Sequence, residues 1–165
     1  RDPARFYLMT DSVEAEALLK KRGVDYVLRE SRLPLLVKDL AKAAGKAPWD
    51  KMSETMLERL GNPAAAPAFL RLAMLSPWVD EDERLPSAMP YYLIWEYTGG
   101  HEMELQGTPG KRAMVSLDYH LDRGEGRIYE WTWTAQSGIA DDTGKVQLRV
   151  PSHPDLVDKM RLVWK

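Results

Sequence analysis

The chain holds histidine, carboxylate, hydroxyl and aromatic groups, and their spacing decides what chemistry each could do. His101, His120 and His153 are the natural nitrogen ligands, but their intervals match no zinc motif and His120 falls in mid-strand by pattern. Serine, histidine and aspartate occur without a nucleophile elbow or a Ser-x-x-Lys pair. No glycine-rich loop joins a strand to a helix to cradle a phosphate. The acidic run at 80–84 lies between Pro77 and Pro86; it lacks the glycine turn and closing glutamate of a calcium loop and reads as a solvated connection. There is no cysteine, which excludes disulfides, thiolate metal sites and cysteine nucleophiles. What remains is Tyr129, Trp131 and Trp133, an aromatic row at period two. Such a row can stack on sugar rings as it can on bases, or bury its area in a sheet core. Val115 and Leu117 share its face, which favours the core.

The elements that must position these groups are legible in outline. Asp11 with Glu14 has capping-box spacing, Val13, Ala17 and Leu18 fall on one face of the helix that follows, and Gly23 suits its left-handed C-terminal position. Residues 24–30 read as a short strand. Pro34 suits the first turn of a second helix that Gly45 stops. A third opens at Pro48 and Asp50, carries Met52, Met56, Leu57 and Leu60 as core-filling side chains, and ends at Gly61. Residues 62–67 form a proline- and alanine-rich connection, and 68–75 are apolar enough for a buried strand or a short helix. From Met89 the period becomes two. Residues 91–97 and 102–106 read as strands, broken at Gly99-Gly100, and 112–121 with 127–135 form a hairpin. Centring its turn on Gly124 sets Tyr119 against Tyr129, Leu117 against Trp131 and Val115 against Trp133 on one face, with Asp118 opposite Glu130 on the other. A turn at 141–145 leads into a last strand over 146–150. The expected architecture is α+β: a helix-rich N-terminal half with a short strand, packed on a small antiparallel β sandwich or barrel, divided as 1–85 and 86–165.

The 165 residues are 44% hydrophobic and 29% charged, an ordinary globular composition. With 23 basic and 25 acidic side chains the net charge is −2, which lacks the electrostatic footprint of a nucleic-acid binder. No apolar run approaches the length of a membrane span. Arg1 is no initiator methionine, and Val163-Trp164 near the C-terminus is an apolar pair that looks unfinished; the chain reads as an excised piece of something longer. Residue chemistry alone stops at an α+β module.

The order of segments reaches further. Phe6-Tyr7-Leu8, the acidic helix start, Glu16-Ala17, Lys21, Gly23-Val24 and Tyr26-Val27 come first, then residues 53–60 and the apolar stretch ending in Ser76. Trp95-Glu96-Tyr97, Gly99-Gly100, Gly107, Asp141-Asp142-x-Gly144 and Val150-Pro151 follow. Over nearly the whole chain this order resembles the soluble C-terminal domain of the catalytic subunit of oligosaccharyltransferases, membrane enzymes of archaea, some bacteria and eukaryotes. These move a lipid-linked glycan onto asparagine in Asn-X-Ser/Thr sequons. The resemblance implies an extracytoplasmic domain tethered by an upstream transmembrane region, with an acceptor peptide and a lipid-linked oligosaccharide as partners. It implies a divalent metal, Mg or Mn, for the parent, with no cofactor and no catalytic residue in this segment. The family's Trp-Trp-Asp motif is absent here and would lie upstream of Arg1. A short kinked helix of the family, with Asp, Met and Lys against the sequon's hydroxyl residue, would fall near Glu30, Leu33 and Lys38. Here Glu replaces Asp, Leu replaces Met and the lysine is one place off; a cap region, a core leucine and an exposed lysine are the plainer uses. Two other readings stand beside it. One is a carbohydrate- or peptide-binding module using Tyr129, Trp131 and Trp133; the other is a bracing domain of a different polytopic glycosyltransferase.

Overall fold

A computed structural model describes residues 2–45, 49–76, 78–79, 89–90, 92–122, 126–151 and 157–165. Pro48, the acidic run at 80–84, Gly124 and His153 lie outside them. The chain forms two compact units, residues 1–62 with 72–97 and residues 63–71 with 98–165, and the architecture is α+β.

The first unit begins with α1 (Asp2–Tyr7) and α2 (Ser12–Arg22). Asp11 caps α2, its carboxylate accepting from the backbone N–H groups of Val13 and Glu14 at 2.7 and 3.0 Å. Gly23, at φ 60°, closes the helix by donating to Lys20 O. The face that α2 buries is not the expected one. Val13 and Ala17 are exposed, while Ala15 and Leu19 are buried together with Glu16. Burial of Glu16 is tolerated because its carboxylate takes the Tyr97 hydroxyl at 2.9 Å and the Lys20 ammonium at 3.0 Å.

β1 (Tyr26–Glu30) leads into a 3-10 turn at Leu33–Leu36 and then α3 (Val37–Ala44), which Gly45 ends at φ 85°. The third helix is a correction. Residues Trp49–Glu54 form an irregular 3-10 segment with Lys51 off helical angles. A separate α4 (Met56–Arg59) starts at Thr55, whose hydroxyl accepts from Glu58 N–H. A threonine at an N-terminal cap satisfies an orphan N–H only with its own backbone extended, so it interrupts the helix on which it would otherwise lie. Met56, Leu57 and Leu60 are fully buried, each contributing roughly 2 kcal/mol of apolar burial. β2 (Leu70–Leu75) is a strand, and with β1 and β5 (Tyr92–Tyr97) forms a sheet in the order β1-β5-β2. Two two-residue strands, β3 (Trp78–Val79) and β4 (Met89–Pro90), pair with each other.

The second unit is a sandwich. β6 (His101–Gln106) pairs antiparallel with β9 (Lys145–Val150). β7 (Arg112–Asp122) is flanked by β8 (Ile128–Ile139) and by β10 (Val157–Trp164) in the order β10-β7-β8. Leu105, Val146, Leu148 and Val150 from one sheet meet Val115, Leu117, Tyr119 and Trp133 from the other in a single apolar core, as alternation at period two requires. Asp141 makes the turn before β9, its carboxylate accepting from Thr143 and Lys145 N–H at 2.9 Å. The Thr143 hydroxyl, donating to the same carboxylate at 2.7 Å, and then those N–H groups hold the Asp141 carboxyl below its ordinary value.

Two features of this unit differ from the sequence expectation. The β7–β8 hairpin is shifted by two residues: Tyr119 faces Trp131, Leu117 faces Trp133 and Val115 faces Ala135. Asp118 then lies opposite Thr132, accepting its hydroxyl at 2.6 Å and the Arg161 guanidinium at 2.8 Å. The like-charge pair with Glu130 is avoided, and the apolar face survives because a slip of two leaves side-chain parity unchanged. The second is β10 itself, which lies beyond the strand over 146–150 at which the sequence reading ends. It pairs with β7 through Trp164 opposite Ala113, and Lys165 and Arg112 exchange backbone hydrogen bonds at 2.9 Å.

Candidate functional site

Glu30 ends β1, Leu33 opens the 3-10 turn and Lys38 sits in the first turn of α3. The connection between them is pinned at both ends. The buried Ser31 hydroxyl donates to Pro90 O, and Pro34 stiffens the turn where a backbone donor is not needed. Glu30 is half-buried, and its carboxylate receives Arg32 Nε at 2.9 Å and Nη2 at 2.8 Å. Leu33 is half-buried and Lys38 is exposed, with no ion-pair partner for Lys38 among the described residues. This stretch therefore presents a neutralised carboxylate, an apolar side chain and an open ammonium in sequence order.

Arg29 holds it in place and was not anticipated from the sequence. Its side chain is 3% exposed. Nε donates to Leu57 O at 3.5 Å and Nη1 to Glu30 O at 3.3 Å, and a side chain at Gly61 would run into Nη2 at 2.7 Å. Burial lowers the guanidinium pKa, while Glu58 and Tyr7 pull it back up, so it remains a cation. Its signal was available: Val27 and Arg29 share the inward face of a strand, and a glycine stands at Gly61.

The aromatic row is graded rather than uniform. Trp133 is 4% exposed in the sandwich core, and its Nε1 donates to Ala66 O at 3.0 Å. Trp131 is half-buried and stacks on Tyr119 with centroids 5.3 Å apart and planes at 12°. Tyr129, also half-buried, tilts against Trp131 at 5.6 Å. Tyr119 is fixed from behind, since its hydroxyl donates to Pro151 O at 2.9 Å; burial pushes that hydroxyl far above its ordinary pKa. Any face open to a ligand belongs to Trp131 and Tyr129.

His101 starts β6 and His120 lies within β7. Among the described residues no group of three or more His, Cys, Asp or Glu side chains is placed to hold a metal, and no helix is long and apolar enough to cross a membrane. The described residues offer no donor set for the divalent ion implied for the parent.

No protein-family model matches the sequence, and no curated protein matches it. Solved structures do. The oligosaccharyltransferase of Archaeoglobus fulgidus, tethered with an acceptor peptide containing the NVT sequon via a disulfide bond, superposes with a TM-score of 0.70 at 12% identity, over 98% of this chain and 31% of that one. The chain has the fold of an oligosaccharyltransferase segment. The same enzyme in complex with Zn and sulfate gives 0.69 at 12% identity, over 98% and 33%. A further archaeal oligosaccharyltransferase structure from that organism, with an inhibitory peptide and a dolichol-phosphate, gives 0.65 at 12% identity, over 97% and 29%. The chain thus spans about a third of the length of the oligosaccharyltransferase chains it matches.

Proposed function

We propose that this chain is the extracytoplasmic domain of a membrane oligosaccharyltransferase, which transfers a lipid-linked glycan to asparagine in Asn-X-Ser/Thr sequons. The observation that carries the reading is the fold itself: nearly every residue, through both units, follows an oligosaccharyltransferase structure, in the segment order that the sequence shows. Neighbours with that fold hold an acceptor peptide and a dolichol-phosphate, which supports peptide and lipid-linked glycan as partners of the parent. The reacting groups and the metal belong to the rest of that parent, tethered to this domain by its transmembrane region. This domain supplies acceptor-side structure. Lys38 donates toward the hydroxyl residue of the sequon, Leu33 packs against its β-carbon, and Glu30 with Arg32 fixes the turn that presents them. Arg29, from behind, sets the end of β1 on which the turn is built.

The test is made in the full-length enzyme. Lys38→Met and Leu33→Ala are each expected to raise KM for an Asn-X-Thr peptide by several-fold with kcat near the parent's, because they remove binding and not chemistry. Unchanged KM in both variants overturns the acceptor assignment. A gene with no polytopic region upstream of Arg1 overturns the whole reading.

A second reading, a carbohydrate platform on the β unit, is favoured by the half-buried Trp131 and Tyr129, which the buried Tyr119 backs from the core. Titrating the chain with oligosaccharide and following tryptophan emission separates it: Trp131→Ala abolishes a real response, whereas no response in the unaltered chain removes the reading.

A further inference from the structure

α3 rests on α1 through one face and opens another to solvent. Val37, Leu40, Ala41 and Ala44 are half-buried at helical spacing, whereas Lys38, Asp39 and Lys42 are exposed. Lys38 and Lys42 stand four residues apart, so their side chains are neighbours on the open face. Neither ammonium has an ion-pair partner among the described residues, and Asp39, about 60° round the helix from Lys42, pairs with neither. Local electrostatics do not account for the arrangement. Like charges at this spacing repel, and a cation in the first turn, as Lys38 is, faces the positive end of the helix dipole. Only Lys42, in the last turn, gains from that dipole. The spacing also has a length. Four helical residues advance about 6 Å, and two residues of an extended peptide advance about 6.6 Å while projecting to the same side.

Resting on the acceptor reading above, we infer that the peptide beyond the sequon runs along α3, and that acceptors with Asp or Glu two positions after the hydroxyl residue are preferred because that side chain meets Lys42. The hydroxyl residue at Lys38 fixes where the run starts. The asparagine must reach the reacting groups in the rest of the parent, which leaves the residues after the hydroxyl to follow the helix. The residue between projects away from α3 and is not read. Two unneutralised cations are complementary to an anionic side chain, and such complementarity selects among partners more than it tightens binding. Lys42 is a specificity residue on a flank of the substrate and takes no part in the chemistry. Asp39 opposes it and keeps the preference modest.

The test uses the full-length enzyme, saturating lipid-linked glycan and three fluorophore-tagged peptides, Tyr-Asn-Val-Thr-Ala-Glu-Ala and the same sequence with Gln or Lys in place of Glu. At low salt KM is expected to be about threefold lower for the Glu peptide than for the Gln peptide, and highest for the Lys peptide, as an exposed ion pair gives. The difference disappears near 1 M salt, where charges are screened within about 3 Å. In Lys42→Glu the order reverses and the Lys peptide becomes the best acceptor, while KM for the Gln peptide and kcat for all three stay within about twofold of the parent's. Asp39→Asn widens the preference for Glu. Moving Glu one place nearer the sequon removes it. Equal KM values for the three peptides, a Glu preference that survives Lys42→Glu, or the same preference from both positions overturns the inference and leaves Lys38 and Leu33 as acceptor contacts. Unchanged KM in Lys38→Met and Leu33→Ala overturns the acceptor reading and this inference with it.

Discussion

Gly107 and Trp164 offer the sharpest test of the β-unit packing. Gly107 follows β6, and a Cβ built on it would fall inside the Trp164 indole; of the three nearest ring atoms even the farthest, Cδ2, would lie only 2.6 Å away. Carbon atoms pack at roughly 3.5–4.0 Å, so Gly107→Ala requires the ring to retreat by at least about 1 Å. Trp164 is paired with Ala113 on β7 and rests against the sandwich core; it cannot retreat without disturbing the end of β10. Overpacking of this kind costs about 1–3 kcal/mol, or roughly 2–12 °C in the midpoint of a chain this long. The measurement is urea unfolding of Gly107→Ala, Trp164→Ala and the double variant, with circular dichroism as the probe. The clash needs both partners. In the Trp164→Ala background, Gly107→Ala is therefore expected to be neutral or slightly stabilising, because it then only restricts the unfolded chain. The two changes are strongly coupled on this reasoning. Additive costs, or a Gly107→Ala protein as stable as the parent, would refute it.

Trp133→Ala removes a fully packed indole and its bond to Ala66 O, and is expected to cost about 3–5 kcal/mol; Trp131→Ala, at a half-buried position, costs clearly less, and denaturant midpoints compare the two. Asp11→Ala leaves two N–H groups of α2 uncapped and is expected to lower stability by about 1 kcal/mol with the denaturant slope unchanged. Burial pushes the Tyr7 hydroxyl up to about 12, against the Arg29 charge. Its folded value exceeds its unfolded one, near 10, so its contribution is intact below about pH 10 and is lost as pH rises toward 12. Unfolding free energy measured across that window should fall more steeply in the parent than in Tyr7→Phe; identical slopes would sink the assignment.

Much of the local structure was legible because its causes are local. Asp11 reaches N–H groups two and three residues on, Gly23 and Gly45 take left-handed angles that their own lack of a Cβ permits, and Asp141 closes a turn on Thr143 and Lys145. The parity of the β7 and β8 faces was legible too, since period two survives a slip of two residues. Local pattern misled where two local signals competed. Thr55 reads as a helical position between Met52 and Met56, yet its hydroxyl starts a new helix there. Of the candidate site, Pro34 and Gly45 marked a helix that includes Lys38, but it opens at Val37 rather than in the turn of Pro34, behind a 3-10 turn at Leu33–Leu36; neither that turn, nor the engagement of Glu30 by Arg32, nor the buried Arg29 behind it was legible.

By itself, then, the amino-acid order determined which stretches turn, cap and alternate, and through their succession it pointed to the fold that the solved structures share. Only the folded chain decided the hairpin register, through Thr132 and Arg161 on Asp118. It also decided the outer strand at 157–164, and the grouping of residues 63–71 with the sandwich, where Ala66 meets Trp133. Each of these joins residues 14 to 67 positions apart. Such bonds depend on which surfaces the topology brings together, and no window of neighbouring residues carries that information.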